Sequence, residues 1–127
     1  MKIFGIGTDI VSVDRVKNSL KNKLFLSRIF NEKEVAKCKK NINYQNCYAK
    51  RFAAKEAFSK ALGTGISKGI SFNEIIILNT KSGKPFIKLI NKTKKIVERK
   101  IKRSKYKISL SIADEKKYAV AFVTISL

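Results

Sequence analysis

Asp9 and Glu56 are two of only nine acidic residues in a chain of 127 that carries 29 lysines and arginines and no histidine. Both stand among apolar or small neighbours, Asp9 in "IFGIGTDIV" and Glu56 in "FAAKEAFSKA". A carboxylate in such a setting loses hydration unless backbone amides or a cation take it up. Each has an ordinary reading as well. Asp9 could act as a cap before the next helix, and Glu56 could form an i,i+4 pair with Lys60 worth a few tenths of a kcal/mol. Brought together beside Lys60, the two acids would instead form an equipment for phosphoryl chemistry: oxygen ligands for a magnesium or manganese ion, and a cation to neutralise charge on a leaving phosphate. None of these roles needs histidine.

The two acids are far apart in sequence, so the elements between them must close the distance. The opening KIFGIGTDIV reads as a buried strand ending near Asp9. Ser12 then caps a short helix with Val13, Val16 and Leu20 inward and Asp14, Arg15, Lys17 and Lys21 outward. A helical piece follows at 23–30, and "NEKE" at 31–34 has the spacing of a capping box, Asn31 as cap and Glu34 reaching back. A long helix is expected over 43–62, with Tyr48, Phe52, Ala49, Ala53 and Ala57 inward and Gly63 as its terminator. On a helical period Glu56 shares a face with Ala49, Phe52, Ala53, Lys60 and Gly63. The small side chains would let another element, such as the Asp9 strand, pass close by.

After the loop GTGISKG come strands at 74–78 and 84–90, joined by "NTKSG" as a hairpin, then a basic amphipathic helix over 91–103. Strands KISLSI and YAVAFVTISL follow, joined by "ADEKK". The expected order is βααα–ββ–α–ββ, an α+β domain over residues 1–127 with a mostly antiparallel sheet packed against the long helix.

Composition bounds the function. Neither the zinc sets built on cysteine and histidine nor a histidine triad can be assembled. Cys38 and Cys47 read as structural or incidental thiols, a disulfide being against expectation. The N-terminus lacks the features of a secretory signal and no segment nears the ~20 apolar residues of a membrane helix, so a cytoplasmic location without membrane attachment is expected. A net charge of +20 implies attraction to an anionic partner. Nucleic acid is one such partner and a basic nucleic-acid module the rival reading, but the aromatic pattern of stacking sheets is missing. Neither GIG at 5–7 nor GTGISKG completes a dinucleotide fingerprint or a P-loop.

"GIGTDIVSVDRV" at 5–16 and "RFAAKEAFSKALGTGI" at 51–66 resemble the two signature blocks of the small bacterial 4′-phosphopantetheinyl transferases, the holo-acyl-carrier-protein synthase type. "GKP" at 83–85 and "SLS…YAVAFV" from 109 to 123 are similar too, so the resemblance spans nearly the whole chain. It implies the 4′-phosphopantetheinyl transferase fold and transfer of the phosphopantetheine arm of coenzyme A to a serine of apo-acyl-carrier protein, in support of fatty acid biosynthesis. By that resemblance Asp9 and Glu56 match the magnesium ligands and Lys60 a diphosphate contact. Arg51, Lys55 and Gly63 fall in the block expected to meet coenzyme A, as do Ser109 and Ser111 on the penultimate strand. Arg15, with Lys17 and Lys21 on the same exposed helix, matches the docking side for the acidic carrier. The resemblance also implies a homotrimer with coenzyme A in clefts between subunits. In one respect the chain departs from the pattern: where members often carry a histidine after S-x-[ST], it has Ile112, so any such role is absent or falls to Ser111, Lys116 or Lys117. The base that accepts the serine proton is left open between a metal-bound water and the two carboxylates.

Overall fold

The computed structural model describes residues 1–63, 69–103 and 105–127. Most of the loop GTGISKG therefore lies outside the described residues. Strand β1 (Ile3–Ser12) leads into α1 (Val13–Ser19), α2 (Lys23–Ile29), α3 (Glu32–Lys39) and the long α4 (Tyr44–Leu62). A single 3-10 turn at Phe72–Glu74 precedes β2 (Ile75–Asn79) and β3 (Pro85–Leu89), followed by α5 (Asn91–Ile101), β4 (Lys107–Asp114) and β5 (Tyr118–Ser126).

The local chemistry sets these boundaries. Ser12 accepts a hydrogen bond from the Arg15 amide, and Asn22 accepts from Leu24 and Phe25. Asn31 and Glu34 complete the capping box, each satisfying an amide that a helix start would leave open. This box opens a helix of its own, so among the described residues four α-helices, not three, separate β1 from β2. Gly63 ends α4 in the left-handed region, φ 85°, where its amide returns to Ser59 and Lys60.

Among the described residues the strand pairs are all antiparallel, but they form two sheets: β1-β5-β4, and the separate hairpin β2-β3. The register sets Asp9 opposite Ala121 and Gly7 opposite Val123. Strand alternation then divides the larger sheet into two faces. Inward lie Gly7, Ala119, Ala121, Val123 and Ile125, all buried against α4. Outward lie Ile6, Ile10, Val120 and Phe122, all exposed.

Helix α4 organises the interior. Ala53, Ala57 and Ala61 meet the sheet, while Phe58 and Leu62 are buried in the main core with Ile75, Ile77 and Val97. Burial of a side chain such as Phe58 or Leu62 contributes roughly 1.5–3 kcal/mol. The first half of α4 joins a second cluster with Val13, Val16, Phe30 and Tyr48, in which the Phe30 and Tyr48 rings meet edge-on at 4.8 Å. Cys38 and Cys47 also lie there, joined by a disulfide with Cα atoms 5.4 Å apart. This corrects the expectation of free thiols: α3 turns back onto α4 through a few residues, a proximity that cysteine counting does not register.

Candidate active site

Because Gly7 and Asp9 alternate with outward Thr8, the Asp9 side chain is directed toward α4, near the end of β1. Glu56 lies midway along α4, and Lys60 follows one turn later on the same side. The Lys60 ammonium donates to Asp9 Oδ1 at 3.0 Å and to the Thr8 carbonyl at 3.1 Å. Asp9 is thus partly enclosed, with 15% side-chain exposure, whereas the Lys60 side chain remains 55% exposed.

A cleft of about 370 Å³ opens over the carboxylates, lined by Asp9, Glu56, Ser12, Arg15, Phe25 and Phe52 among others. Burial, then the Asp9 charge, raises the Glu56 carboxyl above its ordinary value, and Lys60 acts in the opposite sense. A carboxyl that burial and a neighbouring carboxylate hold against ionisation in this cleft favours a cation beside it. Among the described residues no cluster of three or more His, Cys, Asp and Glu exists to enclose a metal. Two carboxylates with room for water and phosphate oxygens suit magnesium, which keeps several such ligands and is seldom caged by protein alone. The donor set therefore fits the expected ion.

Other expected site residues are placed differently. Lys55 is fully buried: its ammonium meets Glu34 Oε1 at 2.7 Å, the Phe72 carbonyl at 2.7 Å and the Ile75 carbonyl. Burial pushes this lysine down to about 8, although Glu34 resists the shift. Its three donors are taken by the fold, so in the chain as folded Lys55 is a structural group and does not reach a phosphate. Arg51, 5% exposed, donates to the Cys47 carbonyl at 3.3 Å and to Asn79 Oδ1 at 3.0 Å, while its Nε has no partner. It too is turned into the protein and away from the cleft lining. These placements replace the expectation that both cations face coenzyme A.

Gly63 is exposed at the end of α4, one turn beyond Lys60. Ser109 and Ser111 face outward on β4, opposite Thr124 and Phe122, on the sheet face away from Asp9. Within one chain they do not join the carboxylates. Arg15, Lys17 and Lys21 are all exposed, but only Arg15 lines the cleft. Sequence reasoning recognised Glu34 as a cap but missed its second role, in which Oε2 accepts from the Ile77 amide while Oε1 holds Lys55. A larger cavity, about 870 Å³, lies between α2, α3 and the start of α5, but it contains neither Asp9 nor Glu56.

The family model of the 4′-phosphopantetheinyl transferase superfamily matches residues 5–123. A holo-[acyl-carrier-protein] synthase of Pelagibacter ubique (strain HTCC1062) is 50% identical over 125 residues, covering 98% of either chain. Among solved structures, the holo-[acyl-carrier-protein] synthase of Neisseria meningitidis matches with a TM-score of 0.85 at 38% identity, over 98% of this chain and 99% of its own. The Bacillus anthracis holo-(acyl-carrier-protein) synthase, solved in complex with CoA (3′,5′-ADP), matches with a TM-score of 0.79 at 36% identity, over 99% of this chain and 98% of its own. The match runs from the strand that carries Asp9 through the helix that carries Glu56 and Lys60 to the last strand, and the chain belongs to the 4′-phosphopantetheinyl transferase superfamily.

Proposed function

We propose that this chain is a magnesium-dependent holo-[acyl-carrier-protein] synthase. It transfers the 4′-phosphopantetheine moiety of coenzyme A to a serine of apo-acyl-carrier protein, releasing adenosine 3′,5′-bisphosphate, and thereby serves fatty acid biosynthesis. The observation that carries this reading is the meeting of Asp9 and Glu56 at one cleft, with Lys60 bonded to Asp9, in a chain matched over 98% of its length by holo-[acyl-carrier-protein] synthases.

Asp9 and Glu56 are the residues that would hold Mg²⁺ or Mn²⁺, which supplies charge screening at the diphosphate of coenzyme A. The carrier serine gives up its proton to one of the two carboxylates or to water in the cleft and attacks the β-phosphorus; the bond from that phosphorus to the bridging oxygen breaks, and the nucleotide leaves with the oxygen. Lys60 neutralises the charge that develops on the leaving phosphate. Phe25 and Phe52 give the cleft apolar walls that limit water near the reacting phosphate. Arg15 stands at the cleft beside the exposed Lys17 and Lys21, a cationic approach suited to an acidic carrier.

We assign the outward face of the larger sheet to self-association as a homotrimer. Ile6, Ile10, Val120 and Phe122 are 39–65% exposed there and adjacent in register, an apolar patch that a single chain leaves in water. Ser109 and Ser111 share this face and Gly63 ends the helix of the carboxylate site, so coenzyme A contacts from these residues belong to a cleft shared between subunits. The location is cytoplasmic, where coenzyme A and carrier protein meet; no helix among the described residues is long and apolar enough to cross a membrane.

The decisive experiment incubates the protein with coenzyme A, apo-acyl-carrier protein and Mg²⁺. The carrier gains the mass of one phosphopantetheine, and the gain requires the metal. An unchanged carrier mass, with a competent carrier and active control enzyme, rules the assignment out.

A further inference from the structure

We propose that Lys60 is a tethered counter-ion that occupies the Asp9 cation position in the free protein, so that it competes with a divalent ion until a diphosphate draws it away. The inference rests on the reading of Asp9 and Glu56 as metal ligands and adds an order of events to it.

The geometry carries the argument. The Lys60 ammonium lies 3.0 Å from Asp9 Oδ1 and 3.1 Å from the Thr8 carbonyl, so it engages a carboxylate and a backbone oxygen together, the contacts a small cation would make. Asp9 has only 15% side-chain exposure and cannot replace this partner fully with water. Removal of Lys60 would leave Asp9 and Glu56 facing one cleft as two anions. The ammonium thus stabilises the empty site.

The same arrangement opposes metal entry. A divalent ion on Asp9 Oδ1 would stand beside the ammonium at a separation where like charges repel strongly. The Lys60 side chain has room to swing aside, because it is 55% exposed on an unbranched stem, but in the free protein its departure would leave Asp9 without a cation. Nothing in the free protein rewards that departure. A diphosphate does, since it offers the ammonium new anionic oxygens and offers the ion further ligands. Ion and substrate are then coupled, each raising the affinity of the other.

Binding of Mn²⁺ to the full-length protein, read from the free-ion signal in electron paramagnetic resonance, tests this without turnover. Wild type is compared with Lys60→Met, Lys60→Arg and Arg15→Met, first without and then with saturating coenzyme A and no carrier. Without coenzyme A, Lys60→Met binds Mn²⁺ more tightly than wild type by roughly two- to fivefold, the factor that corresponds to loss of one partly exposed ion pair. Lys60→Arg keeps the charge and stays near wild type. Arg15→Met removes a cation that lines the cleft and changes the affinity by less than Lys60→Met does. Coenzyme A then raises Mn²⁺ affinity more in wild type than in Lys60→Met. If Lys60→Met binds Mn²⁺ no better than wild type in the free protein, or if Arg15→Met matches its gain, the tethered counter-ion is refuted while the metal site stands. If wild type takes up no Mn²⁺ even with coenzyme A, the metal site is refuted and this inference with it.

Discussion

Gly7 lies directly against the Ala57 carbonyl: a Cβ on Gly7 would stand 1.9 Å from that oxygen and 2.7 Å from the Ala61 amide nitrogen. Gly5 meets the Ala61 carbonyl in the same way, at 1.8 Å. Strand and helix therefore touch backbone to backbone, and this approach brings Asp9 beside Glu56 and Lys60. Neither partner is a flexible side chain that could turn aside. Gly7→Ala is expected to destabilise the protein by about 1–3 kcal/mol, the usual scale of overpacking, and to weaken metal binding in whatever fraction folds. Chemical denaturation and Mn²⁺ titration measure the two effects. Gly63→Ala is the comparison: open space surrounds it and only its positive φ resists, so it should cost about 1 kcal/mol and leave metal binding intact. Equal loss of metal binding in both variants would mean that the close approach does not set the site.

Burial and the neighbouring Asp9 work against ionisation of Glu56, and the effect on stability has a definite sign. Its folded value lies above the unfolded one, so the folded state favours the protonated acid. Its contribution to stability is present below the ordinary glutamic acid range and is lost as pH rises through the raised folded value. Glu56→Gln should therefore raise the melting temperature of the metal-free protein at neutral pH, with the gain shrinking as pH falls toward about 4.3. Turnover should be abolished, as it should be in Asp9→Asn, while circular dichroism shows the fold retained. A melting temperature that falls at neutral pH would show that Glu56 stabilises the free protein.

Lys55 and Glu34 supply the opposite case, a pair of charges spent on architecture. The pair ties α3, the Phe72–Glu74 turn and β2 to the helix that bears Glu56. Lys55→Met leaves a buried carboxylate without its cation and should cost about 3–5 kcal/mol, a large share of the stability of a single domain. The double variant Glu34→Leu with Lys55→Met should recover part of that loss, since no buried charge remains. If the double variant is as unstable as the sum of the single ones, the two residues act independently.

Asp9 and Glu56, which line one cleft, stood out in the sequence because each broke its local pattern: Asp9 closes an apolar strand, and Glu56 stands among alanines. Their meeting was legible in outline from the glycines and alanines that clear the path. Lys55 and Arg51 were misread for one reason. Spacing along α4 places Cys47, Arg51 and Lys55 on a single stripe, but only tertiary packing reveals that α3 and β2 cover it. The division into two sheets was hidden likewise, since hydrophobic alternation marks strands and not which edges pair.

The cationic approach to the cleft separates into residues by position. Arg15 lines the cleft, whereas Lys100 lies on the exposed side of α5. Arg15→Glu should raise KM for the carrier protein by more than it lowers kcat, and leave KM for coenzyme A nearly unchanged. The effect should shrink as salt shortens the Debye length from about 10 Å at 0.1 M to about 3 Å at 1 M. Steady-state kinetics on Arg15→Glu and Lys100→Glu decide the matter: equal effects would mean that overall charge, and no particular face, attracts the carrier.

Assembly can be tested on the outward sheet face. Phe122 is 47% exposed and stands opposite Thr8 on β1 and Ser111 on β4, at the middle of the three-stranded sheet. Its neighbours Ile6, Ile10 and Val120 are exposed as well, so burial of the patch by another copy would return apolar surface to a dry environment. In a closed ring each copy offers the same patch, and one substitution is repeated at every interface. Phe122→Lys adds a positive charge at each of these positions in a chain already at +20, with no cost inside the single chain because the side chain points outward. Sedimentation of the wild type should give a trimer, and Phe122→Lys should shift it to monomer with its circular dichroism preserved. Activity should fall with the trimer, since a shared cleft loses the residues that a neighbouring copy contributes. A wild-type monomer that is active at assay concentration would overturn the assignment of this face, and a monomeric variant with full activity would show that each chain holds a complete site.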